Sequence, residues 1–451
     1  MFNKVVVANR GAVAARVLRA LNAMGIRSAA VYSEADAGAP YLEMAGEAHA
    51  IGPAPARESY LNQDALIEVL RRSHADGLHP GYGFLSENAG FALRVTDTGA
   101  RFIGPSPRWI ELMGHKTRAR ELAAAYGMPM AKGSGVLSAD PEATLAAARA
   151  IGFPVLVKPA GGGGGIGMLA ANDEGELIAA VERSRSMAER GFGTAEVYLE
   201  RLLERPRHVE FQVLGDAHGG AAHLFERDCS TQRRNQKVIE EAPAPGIARE
   251  KAGAMADQVA GIMRGMGYDN IGTVEMLMGA DGYFSFLEMN TRLQVEHGVT
   301  EEVTGVDLVK AQVRSAAGER LSEILPARIE LKGHAIQARV YAEDPRNFFP
   351  SPGKLKVFRP PQAAAVRVET GYAEGRDVTP HYDPMVAKVI VHAETRAHAI
   401  DRLAEALSAF EIQGIKNNIP AVLAVLRSEA FRAGRVHTGL IPEVLSTRKA
   451  A

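Results

Sequence analysis

Glu275 and Glu288 flank Asp281-Gly282, a turn signal between two β-rich runs, Thr273 to Met278 and Tyr283 to Glu288. Asp-Gly favours a two-residue type I′ hairpin turn, and with Ala280 opposite Tyr283 the register sets Glu275 opposite Glu288. Two carboxylates facing each other on one sheet face have Cβ atoms about 5 Å apart and repel unless a cation lies between them. Mg²⁺ resolves that conflict, because it is a hard ion that takes oxygen ligands and shares them between carboxylates and nucleotide phosphates. The bland alternative is an exposed hairpin carrying two solvated acids.

An extended chain beyond Glu288 places Asn290, Arg292, Gln294 and Glu296 on the same side as Glu288, by the period of two. Such a row grips a metal, an anion and a proton donor together. Arg292 suits bidentate binding of an oxyanion, and Glu296 beside that anion suits a general base.

The elements that must carry these residues are legible in outline. Lys4 to Ala8 reads as a buried strand, followed by an Asn9-Arg10-Gly11 turn, a helix near Ala12 to Met24 and a strand at Arg27 to Tyr32. With the helical Gln63 to Arg72 and the strand Gly77 to His79 this is a βαβ pattern, which places ligand loops at the carboxyl ends of parallel strands. His79 to Asn88 is one such loop. Gly114 to Pro129 reads as a helical link to a smaller unit, in which Val155 to Lys158 and Met168 to Ala171 are strands around the five glycines from Gly161 to Gly165. Gly162, Gly164 and Gly167 satisfy G-x-G-x-x-G, yet a second strand follows where a dinucleotide fold requires a helix, so the run reads as a flexible flap whose N–H groups wrap phosphates. In Arg207 to Val213 strict alternation sends Val209, Phe211 and Val213 to a core and His208, Glu210 and Gln212 to the other face, either a site wall or a solvated surface. The basic cluster Glu226 to Lys237 suggests an anionic ligand.

Of 451 residues, 46% are hydrophobic and 23% charged, which allows large cores divided among two or three domains. A formal net charge of -1 and a pI near 6.9 argue against general affinity for nucleic acid or membrane, so anion binding must be local. No apolar run approaches about 18 residues, and the opening stretch is too short for a signal peptide. A single cysteine, Cys229, excludes an internal disulfide and a Cys-based zinc site and points to a cytoplasmic location.

Taken together, His79-Pro-Gly-Tyr-Gly-Phe-Leu-Ser-Glu-Asn88, the Lys158 strand with its polyglycine flap, Glu226-Arg-Asp-Cys-Ser230 and Glu288 through His297 resemble the biotin carboxylases of the ATP-grasp superfamily, in order and spacing from about Lys4 to Asn418. The resemblance implies an α/β ATP-grasp fold: an N-terminal Rossmann-like domain (1–113), a linker helix and small mobile lid (114–203), a catalytic core (204–333) and a C-terminal α+β domain (334–446). It implies ATP with Mg²⁺, or Mn²⁺ in its place, and carboxylation of carrier-bound biotin through carboxyphosphate. By motif position Lys116, Lys158, Gly163, Gly164, Gly165, Glu200, Leu202, His208 and Gln232 would contact the nucleotide, and Glu275, Glu288 and Asn290 the metal. Lys237, Arg292, Gln294, the Val295 backbone and Glu296 would form the bicarbonate site, with Glu296 as base. Arg339 would stabilise the biotin enolate, with Tyr82 and Asn235 beside the acceptor.

No Met-Lys-Met biotinylation motif and no room for a carboxyltransferase domain are found, so a separate carrier protein and carboxyltransferase are expected, in an acyl-CoA carboxylase type assembly whose members are commonly homodimers. Ile166, Asn235 and Gly298 stand where the family pattern has arginine, histidine and proline. The first two lie beside the chemistry and leave open a different nitrogen acceptor. A non-catalytic ATP-binding protein within a carboxylase complex is the third reading, opposed by the full set of charged residues.

Overall fold

The computed structural model describes residues 1–161 and 166–447. Gly163, Gly164 and Gly165 lie outside the described residues.

Val5, Val6 and Val7 are β-branched and buried, as a strand covered on both faces requires. Lys4–Val7 is the centre of a five-stranded parallel sheet with the order Glu47–Ala50, Arg27–Tyr32, Lys4–Val7, Gly77–His79, Arg101–Phe102. The chain leaves Lys4–Val7 toward one side of the sheet and returns at Gly77–His79 on the other, which makes a crevice at the carboxyl ends of those two strands. Asn9 closes it: Nδ2 donates to the carbonyls of Pro80 at 2.6 Å and Tyr82 at 2.9 Å. Gly81 sits at φ +65°, and a Cβ there would lie 2.9 Å from both Asn9 Nδ2 and Val13 Cγ2, so the loop approaches this closely only with glycine.

The smaller unit is a four-stranded antiparallel sheet in the order Gly133–Val136, Val197–Arg201, Val155–Pro159, Leu169–Ala171. Helices Pro141–Ile151 and Glu174–Phe192 back it, capped by Asp140 and Asp173, whose side chains accept from Glu142 N and Glu176 N. A strand, Leu169–Ala171, follows the glycine run, as the rejection of a dinucleotide motif required.

The largest sheet has eight antiparallel strands, in the order Phe284–Asn290, Ile271–Met278, Arg207–Gly215, Ala221–Arg233, Gln236–Ala242, His334–Tyr341, Met385–Ala393, Val366–Glu369. Gln236–Ala242 pairs directly with His334–Tyr341, so a boundary at residue 333 divides the chain but not the sheet. On one face Val209, Phe211, Val213, Val274 and Met276 pack on Met255, Val259 and Met263 of helix Arg249–Met266. The other face carries His208, Glu210, Gln212, Arg227 and Glu275, all buried. Alternation was therefore right about the two faces, and the polar one is an interior wall.

Two expectations about backbone are corrected. The turn at Asp281-Gly282 is a three-residue loop: Gly279 N–H donates to Tyr283 O at 3.2 Å, Gly282 N–H to Gly279 O at 2.9 Å, and Gly282 takes φ +75°. Near this loop the pairing is one residue off the type I′ register, with Met276 opposite Phe286, and a bulge at Leu287 restores Glu275 opposite Glu288. The strand also ends at Asn290; residues 291–295 form a loop, and Glu296 stands at the start of helix His297–Thr304. Convergence of that row is the work of hydrogen bonds, because the period of two stops with the strand.

Candidate active site

Lys237 is the hub. Its Nζ lies 2.5 Å from Glu210 Oε2, 2.7 Å from Glu275 Oε1 and 2.7 Å from Glu296 Oε1. Burial works against the ammonium, yet the three carboxylates outweigh it and raise its pKa well above the ordinary lysine value. The strand Gln236–Ala242 aims it inward from the hairpin Arg233 to Gln236, whose two central residues, Arg234 and Asn235, both have positive φ, 49° and 62°. This is the type I′ pattern, and asparagine accepts the left-handed region better than most side chains.

Glu275 is held by more than Lys237. Asn290 Nδ2 donates to Oε1 at 2.8 Å and Gln294 Nε2 at 3.3 Å, while His208 Nε2 lies 2.9 Å from Oε2. Burial pulls its pKa up, but Lys237 and His208 hold it far below the usual carboxylate range. Gln232 Nε2 donates to His208 Nδ1 at 2.9 Å, which leaves the Nε2 proton facing Glu275. Glu296 is fully buried and shared between Lys237 and Arg339 Nη2 at 3.0 Å. Burial opposes its charge; Lys237, Arg339 and Arg227 keep it ionised well below the ordinary value. Arg339 in turn holds Glu240 at 2.5 Å through Nε. For Glu240, burial wins over Arg339 and its pKa is raised.

Arg292 Nη2 donates to Asn290 Oδ1 at 2.9 Å and Nη1 to Gln294 Oε1 at 3.0 Å. The row Glu275, Asn290, Arg292, Gln294 is thus hydrogen-bonded end to end. Lys388, fully buried, donates to Val295 O at 2.8 Å and pairs with Glu369 at 2.6 Å.

A cavity of about 860 Å³ is lined by all the units. The smaller unit and its linker contribute Lys116, Lys158, Glu200 and Leu202; the large sheet contributes His208, Gln232, Lys237, Glu275, Glu288 and Arg339; the N-terminal loops contribute Arg10 and Tyr82. Lys158 Nζ pairs with Glu200 at 2.5 Å, and Glu200 also meets Arg120. Leu156, Met168, Leu277 and Leu287 add an apolar wall. Asn235, Gln294 and Val295 line the same cavity. Glu296, the expected base, reaches it through its bonds to Lys237 and Arg339. Ile166 is half exposed and lines no part of it. At Gly298 a Cβ would lie 2.5 Å from Ile390 Cδ1, a side-chain tip that would have to turn aside to admit it.

Oxygen donors fit a hard cation here. Glu288 pairs with Lys116 Nζ at 3.2 Å and is 30% exposed, while Asn290 Oδ1 keeps a lone pair beside Arg292.

Sequence reasoning missed Arg227, Glu240, Glu87 and Lys388. Arg227 is fully buried, pairs with Glu210 through Nε at 2.6 Å, and donates to Gln212 and Thr300 at 2.8 Å. Its signal was the charged residue inside Glu226 to Ser230; its partner could be named only once the strands were paired.

Family comparison covers nearly the whole chain. Residues 1–110 match the biotin carboxylase N-terminal domain, 115–324 the ATP-binding domain of the carbamoyl-phosphate synthase L chain, and 337–443 the biotin carboxylase C-terminal domain. A biotin carboxylase of Halalkalibacterium halodurans is 48% identical over 451 residues, covering 99% of each chain. The chain belongs to the biotin carboxylase family. It is accordingly an ATP-dependent ligase with the ATP-grasp fold. Biotin carboxylase 2 of Bacillus subtilis is 46% identical over 445 residues, 99% of this chain and 100% of that one. Among solved biotin carboxylase structures, the biotin carboxylase domain dimer of 2-oxoglutarate carboxylase from Hydrogenobacter thermophilus superposes with a TM-score of 0.95 at 41% identity, covering 99% of each chain. That structure holds MgADP, ADP and bicarbonate.

Proposed function

We propose that this chain uses MgATP to activate bicarbonate and passes the carboxyl group to biotin on a carrier protein, as the biotin carboxylase component of an acyl-CoA carboxylase type complex. The observation that carries the reading is the linked set Lys237, Glu296 and Arg339, with Arg292 lining the same cavity, whose other walls suit a nucleotide. A bicarbonate oxygen attacks the γ-phosphorus, ADP leaves, and the carboxyphosphate so formed breaks into CO₂ and phosphate. The biotin ureido nitrogen passes its proton to the phosphate released in that step and attacks CO₂.

In this scheme Lys116 and Lys158 neutralise phosphate charge, His208 contacts the nucleotide, and Leu202 beside Glu200 borders the adenine. Glu275, Glu288 and Asn290 would hold Mg²⁺, which supplies charge neutralisation for phosphoryl transfer when bound. Arg292, Gln294 and the Val295 backbone orient bicarbonate. As found, Glu296 is a weak base, because Lys237, Arg339 and Arg227 stabilise its charge. Bicarbonate and phosphate drawing Lys237 and Arg339 toward themselves would free the carboxylate and raise its basicity. Tyr82 and Asn235 border the acceptor, and Arg339 stabilises its enolate. The glycine flap would exclude water from a labile intermediate. A homodimer, a separate carrier with its carboxyltransferase, and a cytoplasmic setting complete the proposal. Among the described residues no helix is long and apolar enough to cross a membrane.

The test is Mg²⁺-dependent ATP cleavage by the purified protein with bicarbonate, with and without free biotin. Biotin-stimulated cleavage with a labelled carboxybiotin product is expected, lost by at least about 100-fold in Glu296→Gln while ATP still binds. Cleavage that biotin never raises would move the search to another acceptor.

A further inference from the structure

The loop His79 to Asn88 contributes Tyr82 to the cavity, yet a second residue of that loop reaches the anion site from behind. Glu87 Oε2 accepts from Arg292 Nε at 2.7 Å, and Glu87 Oε1 accepts from the Thr291 backbone N–H at 3.1 Å. We infer that Glu87 is a positioning residue for Arg292, so that the N-terminal unit completes the anion site of the large sheet. This rests on the assignment of bicarbonate to Arg292 made above.

The donors of Arg292 make the case. A guanidinium has five N–H donors in a fixed plane. Nε goes to Glu87, Nη1 to Gln294 Oε1 and Leu293 O, and one Nη2 proton to Asn290 Oδ1. Four donors are spent, and the Nη end is the one directed at cavity-lining residues. Glu87 therefore decides which edge of the guanidinium faces the anion. Its second bond fixes the first residue after the strand, where backbone pairing has ended.

Glu87 itself is well placed for this. Asn88 caps helix Ala89–Asp97, accepting from Phe91 N at 2.8 Å, and Ser86 N–H donates to Gly83 O at 3.0 Å. The Glu87 side chain is 38% exposed, and so open an ion pair adds little stability by attraction alone. Its value is geometric: it locks a long side chain that otherwise samples many rotamers.

The experiment is steady-state ATP cleavage in Glu87→Ala and Glu87→Gln, with KM measured separately for bicarbonate and ATP. Glu87→Ala is expected to raise the bicarbonate KM roughly 10- to 100-fold and leave the ATP KM unchanged, with Glu87→Gln intermediate because it keeps one acceptor. In an Arg292→Lys background, which lacks Nε, Glu87→Ala is expected to add nothing further. A lowered melting temperature with an unchanged bicarbonate KM overturns the inference, as does a full additional effect on top of Arg292→Lys. If Arg292→Lys by itself leaves the bicarbonate KM unchanged, the bicarbonate assignment fails, and this inference with it; that result is distinct from a failure of Glu87 alone.

Discussion

At the scale of single residues the site is a balance of buried charges. Lys237 is the one cation common to three carboxylates, and none of the four groups is well solvated. Replacing it with glutamine leaves Glu210, Glu275 and Glu296 sharing a volume without their common cation. Removal of one partner from a buried ionic cluster costs about 3–5 kcal/mol. Lys237→Gln is therefore expected to unfold at lower denaturant, to lose bicarbonate-dependent ATP cleavage, and to regain part of its stability when Mg²⁺ is added. Denaturant titration with and without Mg²⁺ checks this; equal midpoints for parent and variant would show that the ammonium is dispensable. The residue types were legible in the sequence, since Glu, Lys, Arg and Asn at these spacings announce metal and anion chemistry. What could not be read was which oxygen serves which cation. Glu275 was expected to wait for a metal, and it is already shared by Lys237, Asn290, Gln294 and His208.

At the scale of elements, the decisive piece is the loop between strand Phe284–Asn290 and helix His297–Thr304. Sequence alternation extended the strand to Glu296, because nothing local marks its end: no glycine or proline interrupts Asn290 to Glu296. Contacts far away in the chain end it. Glu87 takes the Thr291 N–H, and Lys388 takes the Val295 carbonyl from strand Met385–Ala393. Lys388→Met removes the second pin while nearly conserving volume. The variant also takes a buried cation from Glu369 and is expected to lose about 3–5 kcal/mol of stability, to exchange the amides of 291–296 faster, and to cleave ATP about tenfold more slowly. Hydrogen exchange resolved to that segment decides it; unchanged protection would mean that the loop holds its shape without Lys388. The hairpin follows the same logic. A three-residue loop replaced the expected type I′ turn, and the Leu287 bulge cancelled the slip, so Glu275 and Glu288 face each other by a route that turn chemistry alone did not predict.

At the scale of the whole molecule, burial of titratable groups couples folding to pH. His79 and His297 are both fully buried. Burial presses His79 down to about 3, and burial together with the nearby Lys388 presses His297 well below its ordinary value. The unfolded chain thus binds more protons than the folded one once the pH drops below about 6.5, and stability falls with acidification. Between pH 7 and 5 the loss is about 2 kcal/mol for each histidine. The depressed carboxylates, Glu275, Glu296 and Glu369, add their own loss only below their unfolded values near 4.5. Chemical denaturation at pH 7, 6 and 5 should show a steady decline in midpoint, reduced by about half in His79→Gln. A flat profile over that range would place both imidazoles in contact with water.

By itself the sequence determined the kinds of unit and the kinds of chemistry. Valine runs, glycine punctuation and two-residue alternation are local properties of the chain, and they specified a parallel sheet, a second strand after the glycine run and a two-faced strand at Arg207 to Val213. The long motifs, read together, specified the biotin carboxylase family. Tertiary structure decided the rest: that the catalytic and C-terminal segments share one sheet, that His208, Glu210 and Gln212 are buried on the face toward the site, with His208 lining the cavity, and that Arg227, Glu240, Lys388 and Glu87 support the site. Those outcomes depend on partners 17 to 205 residues apart. A buried charge is tolerated only where the fold delivers its counter-charge, and that pairing is a property of the packed chain.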